Sequence, residues 1–147
     1  MERVYIFDTT LRDGGQTKGV DFSFADKIAI SEALDDLGID YIEGGGPGAN
    51  PTDDKLFGSP PKLKVSNFVA FGMTRRPNTS AANDPGLNAV LSGKSDSVCL
   101  VGKTWDFHVS KALNITLEEN IDMIRESINE INTVSYTHLT LPTILRV

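Results

Sequence analysis

An arginine and two carboxylates, Arg12, Asp13 and Glu43, each sit where an apolar run breaks into polar residues and glycines. Arg12 and Asp13 belong to the stretch Ile6-Phe7-Asp8-Thr9-Thr10-Leu11-Arg12-Asp13-Gly14-Gly15-Gln16. Asp13 offers a hard oxygen ligand for a divalent cation, and Arg12 a planar fork for a substrate carboxylate or a developing oxyanion. Together they suggest metal-assisted chemistry at a carbonyl. One carboxylate does not hold a catalytic metal, and with 2 His in the whole chain there is no His-rich ligand set to help it. A solvated turn with a surface ion pair would account for the same residues, but turns rarely need an Asp-Thr-Thr run leading straight into Arg-Asp-Gly-Gly.

These side chains need strands to present them. Val4 to Phe7 reads as a first buried strand, and its carboxyl end is where parallel α/β sheets and barrels carry their chemistry. Ser23-Phe24-Ala25-Asp26 resembles a capping box, and Ile30, Ala33, Leu34 and Leu37 follow at helical spacing until Gly38. Ile39 to Glu43 predicts a second strand running into Gly44-Gly45-Gly46-Pro47-Gly48, and Thr52 to Phe57 a short helix. Asn67 to Phe71 predicts a third strand that opens into Thr74-Arg75-Arg76-Pro77. Asp84 to Leu91, with Pro85 in its first turn, predicts a third helix, and Val98 to Val101 a fourth strand. Thr116-Leu117-Glu118-Glu119 has the form of a capping box, and Leu117, Ile121, Ile124, Ile128 and Ile131 mark the apolar stripe of the last helix.

Strand ends thus recur roughly every 30 residues, the length of one strand-helix unit of a parallel sheet. The expected fold class is α/β. About four such units make the N-terminal half of a TIM (β/α)8 barrel, which typically runs to about 250 residues.

Composition narrows the partners. A chain of 147 residues with 39% apolar content supports a real core, and its net charge of −6 without a basic, aromatic-interleaved cluster argues against nucleic acid. The single Cys99 lies inside Val98-Cys99-Leu100-Val101, reads as a small core residue and excludes a disulfide framework. No leader pattern precedes the first strand and no apolar stretch is long enough to span a bilayer, so the expected location is cytoplasmic, with no membrane partner.

Three further motifs lose on inspection. Gly44 to Ala49 fits a dinucleotide fingerprint in form, but it follows the second strand, contains Pro47 and lacks an acidic residue about 20 positions on. Gly102-Lys103-Thr104 resembles the end of a P-loop, yet Ser97 stands where the opening glycine belongs. His108, beside Trp105 and Phe107, is more often a packing residue than a ligand or base.

The stretch Phe7 to Gln16 resembles the signature of the metal-dependent barrel family that contains isopropylmalate, homocitrate and citramalate synthases and hydroxymethylglutaryl-CoA lyase. Tyr41 to Pro51, Phe71 to Pro77, Gly102 to Val109 and Thr116 to Asn120 are similar to its citramalate synthase branch, in the right order. Gly46 departs from the resemblance, since that branch usually carries a large aromatic there, which would alter the pocket wall.

The resemblance implies an acyltransferase that condenses acetyl-CoA with a short 2-oxo acid, pyruvate in this branch, and then hydrolyses the thioester. It implies a divalent ion (Mg, Mn or Zn) held by Asp13 and by two His of a late His-x-His motif that is absent here. Arg12 would stabilise the oxyanion, Glu43 would orient water or substrate, and Gln16 and Arg75 would join Arg12 in binding substrate. A homodimer is implied for the complete protein. Isopropylmalate or homocitrate synthase is the alternative within the class, and a non-catalytic half-barrel acting by self-assembly or with a partner is the alternative outside it.

The expected domains are a partial catalytic barrel over 1–133 and a non-native tail over 134–147. Val134 to Leu139 resembles a translated sequencing adapter rather than a fifth strand, so the chain reads as a truncated gene fragment, inactive as written.

Overall fold

The computed structural model describes residues 3–133, so the expected tail over 134–147 lies outside the described residues. Four strands, β1 (Phe7–Asp8), β2 (Tyr41–Gly45), β3 (Asn67–Met73) and β4 (Ser97–Val101), form one parallel sheet in the order β1-β2-β3-β4. The strands alternate with helices α1 (Phe24–Asp36), α2 (Pro51–Gly58) and α3 (Pro85–Ser92). After β4 come the single turn α4 (Asp106–His108), a π turn (Val109–Leu113) and α5 (Leu117–Thr133). Parallel neighbours in sequence order, with a helix in each crossover, are the winding of a barrel half.

The sheet has two unlike faces because side chains alternate along a strand. Ile42, Phe68 and Ala70 form the core with Leu56 and Phe57 of α2 and Val90 of α3, and Val98 packs against it. Glu43, Phe71 and Cys99 occupy the alternate positions, and Phe71 lies directly beside Cys99 in the ladder.

α1 begins with the expected capping box, Ser23 and Asp26 exchanging bonds. Its buried residues, however, are Lys27, Ser31 and Asp35, while Leu37 is 77% exposed. Ile30 and Leu34 of the expected stripe pack against the core, whereas Ala33 and Leu37 lie outside it, because three polar groups find partners inside. Lys27 reaches Asp53, the Ser31 hydroxyl donates to the Lys27 carbonyl, and Asp35 accepts from the N–H groups of Lys64, Val65 and Ser66. Those three bonds hold the Asp35 carboxyl far below the usual carboxylate range.

α5 departs from its expected stripe in the same way. Asn120, Met123 and Ser127 are buried, whereas Leu117 and Ile121 are about half exposed. Asn120 donates to the Lys103 carbonyl and the Ser127 hydroxyl accepts from the Arg75 N–H, so hydrogen bonding sets the rotation of this helix. Thr116 accepts the Glu119 N–H as a cap should.

At the other edge, Val4, Tyr5 and Ile6 are exposed, not buried as expected. The chain there meets β2 on one side, where the Ile6 carbonyl accepts from the Tyr41 N–H and the Ile6 N–H donates to Asp40.

Candidate active site

The turn after β1 is built by its own polar residues. Asp8 accepts from the Thr10 N–H (2.9 Å) and hydroxyl (3.0 Å), and the Thr9 carbonyl then collects the N–H groups of Arg12, Asp13 and Gly14. Leu11, at 1% exposure, anchors this turn in the core.

Arg12 places its guanidinium carbon 3.5 Å from the centroid of the Phe71 ring and pairs with Asp13. A cation held on an aromatic face gains attraction without losing its hydrogen-bonding edge. The Asp13 side chain remains 55% exposed.

Glu43, near the carboxyl end of β2, is 3% exposed. Burial pushes its carboxyl upward, and the Arg12 charge pulls it partly back. The Cys99 thiol is pushed up to about 11, by burial first and the Glu43 charge second.

In front of these groups lies a cavity of about 400 Å³ between the loops that follow β1 and β2. Arg12, Gln16, Gly46 and Phe71 line it, with Lys27 and Asp53 also in its wall. Its size is that of a small-molecule site.

The structure therefore brings Arg12, Asp13 and Glu43 together and sets Arg12 and Gln16 in the cavity wall, which Asp13 and Glu43 do not line. It does not bring Arg75 there. Arg75 is buried against α5, bonded to Glu126 (2.6 Å) and Glu119 (2.9 Å), so its fork is already occupied. His108 stands edge-on to Trp105 at 4.6 Å between ring centroids, in an exposed turn.

Sequence reasoning missed Phe71 and Cys99. The two-residue period along β3 and β4 places both on the face away from the helices, and that was the signal available.

Among the described residues no group of three His, Cys, Asp or Glu side chains is placed to hold a metal ion. Asp13 fits the role of a single oxygen ligand, but the described residues do not make a complete divalent site.

Residues 3–139 match the HMGL-like family over nearly the whole chain. The chain belongs to the HMGL-like family. Its members are generally dependent on a divalent metal.

The chain is similar to the (R)-citramalate synthase of Aquifex aeolicus, with 51% identity over 129 residues, covering 86% of this chain and 24% of that protein. It is more distantly similar to the 2-isopropylmalate synthase of Bradyrhizobium diazoefficiens, with 34% identity over 140 residues, covering 92% of this chain and 26% of that protein. The chain thus spans about a quarter of the length of the curated relatives it matches.

Among solved structures, the HMG-CoA lyase of Brucella melitensis superposes with a TM-score of 0.67 at 19% identity, over 90% of this chain and 46% of that one. The fold is that of the N-terminal part of the lyase's TIM barrel. Among the described residues no helix is long and apolar enough to cross a membrane.

Proposed function

We propose that this chain is the first, Arg12-bearing half of a citramalate synthase barrel, which condenses acetyl-CoA with pyruvate. The observation that carries the reading is the Arg12 guanidinium fixed over Phe71, beside Asp13 and the buried Glu43, at the mouth of a small-molecule cavity. The 51% identity to an (R)-citramalate synthase supports acetyl-CoA and pyruvate as the substrates.

In that reaction the acetyl methyl carbon, after losing a proton, attacks the keto carbon of pyruvate. A carbon–carbon bond forms and the keto oxygen takes the electron pair. Arg12 meets the charge on that oxygen with two parallel N–H donors, a task for a preorganised fork. Glu43, whose carboxyl is raised by burial, orients a substrate oxygen or a water. Gln16 adds an amide in the cavity wall for the acid end of the substrate. Water then cleaves the thioester and CoA leaves. Asp13 is the ligand this chain would contribute to a divalent ion (Mg, Mn or Zn), which would supply polarisation of the oxo acid.

Arg75 is assigned a structural role in this reading, as the ionic tie between the end of β3 and α5. The working protein is taken as a cytoplasmic homodimer with small-molecule substrates.

The test joins residues 1–133 to the remaining length of the Aquifex aeolicus relative and follows CoA release with a thiol reagent. Release should depend on pyruvate and be weak with branched oxo acids. Preference for a branched oxo acid would favour the 2-isopropylmalate synthase reading, and no dependence on any oxo acid would overturn the acyltransferase reading.

A further inference from the structure

The loop that follows β2 is held by charges that the proposed chemistry does not use. Lys27 of α1 and Asp53 of α2 are 7% and 5% exposed and form an ion pair of 2.5 Å. Each partner also holds the backbone. The Lys27 ammonium donates to the Gly44 carbonyl at 2.9 Å, and the second Asp53 oxygen accepts the Gly46 N–H at 3.0 Å.

Between those two bonds the strand is irregular. Glu43 pairs with Val69 and Gly45 with the very next residue, Ala70, which leaves Gly44 as an extra residue in the ladder. Such a bulge frees backbone groups and turns the strand. Gly45 adopts φ +143°, and a Cβ there would lie 2.5 Å from an Asp53 oxygen, so the carboxylate fills the space that a side chain would need.

We propose that the Lys27–Asp53 pair is a positioning device for the proposed active site, clamping the Gly44–Gly46 bulge so that Glu43 and the Gly46 wall stay fixed toward Arg12. The placement is direct. Glu43 precedes the bulge, Gly46 follows it, and Lys27, Asp53 and Gly46 line the same cavity as Arg12. The pair also ties the first strand-helix unit to the second, because α1 supplies the cation and α2 the anion.

Stability alone is a poor reason for such a pair. Two charges removed from water recover little beyond what well-packed apolar side chains of equal volume supply. An apolar pair, however, offers nothing to the Gly44 carbonyl or the Gly46 N–H. Supporting groups of this kind decide whether a reactive side chain is held to within a fraction of an ångström.

The activity arm of the test rests on the citramalate synthase reading, while the labelling arm does not. Both use the Aquifex aeolicus chimera. Cys99, beside Phe71 in the ladder and within reach of the Glu43 charge, reports whether Glu43 has moved, and its alkylation by iodoacetamide is followed by peptide mass spectrometry. Lys27→Met with Asp53→Leu should keep the melting temperature within about 3 °C, label Cys99 about tenfold faster or more, and lower kcat about tenfold with little change in KM for acetyl-CoA. Lys27→Arg, which preserves the pair, should restore slow labelling and normal kcat. Should the apolar pair fail to fold, the isosteric Asp53→Asn is read in its place, with the same shifts in labelling and kcat but a lower melting temperature, since Lys27 is left buried without its counter-charge. Parent-like labelling in a folded variant overturns the proposal. Failure of the parent chimera to turn over pyruvate would strike the functional reading and leave the labelling arm to decide this one.

Discussion

Arg12 and Phe71 meet across the sheet, the guanidinium carbon 3.5 Å from the ring centroid, although β2 lies between their strands. The contact bridges the end of β2, where Glu43 is buried, and this explains why the Arg12 charge is felt by the Glu43 carboxyl.

Replacing Arg12 by Lys in the chimera should lower turnover well over tenfold, since loss of a preorganised oxyanion donor costs about 3 kcal/mol. A flexible point charge does not reproduce a planar fork. The melting temperature should barely change, because Arg12 lies at the cavity and not in the core. Near-normal steady-state turnover would remove Arg12 from the mechanism.

Asp35 should make the fold acid-sensitive. Its carboxyl is depressed in the folded chain by the N–H groups of Lys64, Val65 and Ser66. A depressed folded value contributes stability that is complete above the unfolded value of about 3.9 and is lost as pH falls toward the folded one. Thermal melts from pH 7 down to pH 3 should show Asp35→Asn less stable at neutral pH and less sensitive to acid than the parent. Equal sensitivity in both would show that other groups govern the acid limb.

Much of this architecture could be read from the residues because the strands and helices alternate with clear punctuation. Gly38 ends α1, and the Asn50 and Asp84 caps with Pro51 and Pro85 open α2 and α3. The faces of α1 and α5 could be read only in part, Ile30 and Leu34 of α1 packing against the core as their spacing indicates. Apolar spacing pointed to Leu37 and Ile121, whereas the buried positions went to Asp35 and Asn120, whose partners lie far away in sequence. A hydrogen-bonded polar residue inside and an apolar residue outside are invisible to a pattern that counts only hydrophobicity. At the site, Arg12, Asp13 and Glu43 stood out because charge breaks an apolar run, while Phe71 and Cys99 merely continued one. Arg75 carried the same outward signal as Arg12, but Glu119 and Glu126, more than forty residues away, claim it.

The 147-residue chain on its own should self-associate. Ile121, Ile124 and Ile128 of α5 line a shallow apolar groove, and Val4 and Ile6, just before β1, are exposed. An apolar helix face beside an unpaired strand edge favours association. Light scattering after size exclusion should give a mass above that of a monomer, and Ile121→Glu with Ile128→Glu should reduce it. A monodisperse, cooperatively melting monomer in the parent would contradict this expectation.

The same chain should not bind manganese tightly, since Asp13 is one ligand where a catalytic site generally needs about three. Calorimetric titration of the chimera should instead show stoichiometric binding that Asp13→Ala removes. Micromolar binding to the chain alone, abolished by Asp13→Ala, would mean that its own residues complete a site.

The central claim is that these residues help join an acetyl methyl carbon to a keto carbon, and carbon–carbon coupling reports that bond itself. Acetyl-CoA labelled with carbon-13 in the methyl group and pyruvate labelled at its keto carbon are incubated with the chimera and followed by NMR. The account predicts a one-bond coupling between the two labels that appears as CoA is released and falls in step with turnover in Arg12→Lys. CoA release without that coupling would show that the site merely hydrolyses the thioester and would contradict the account.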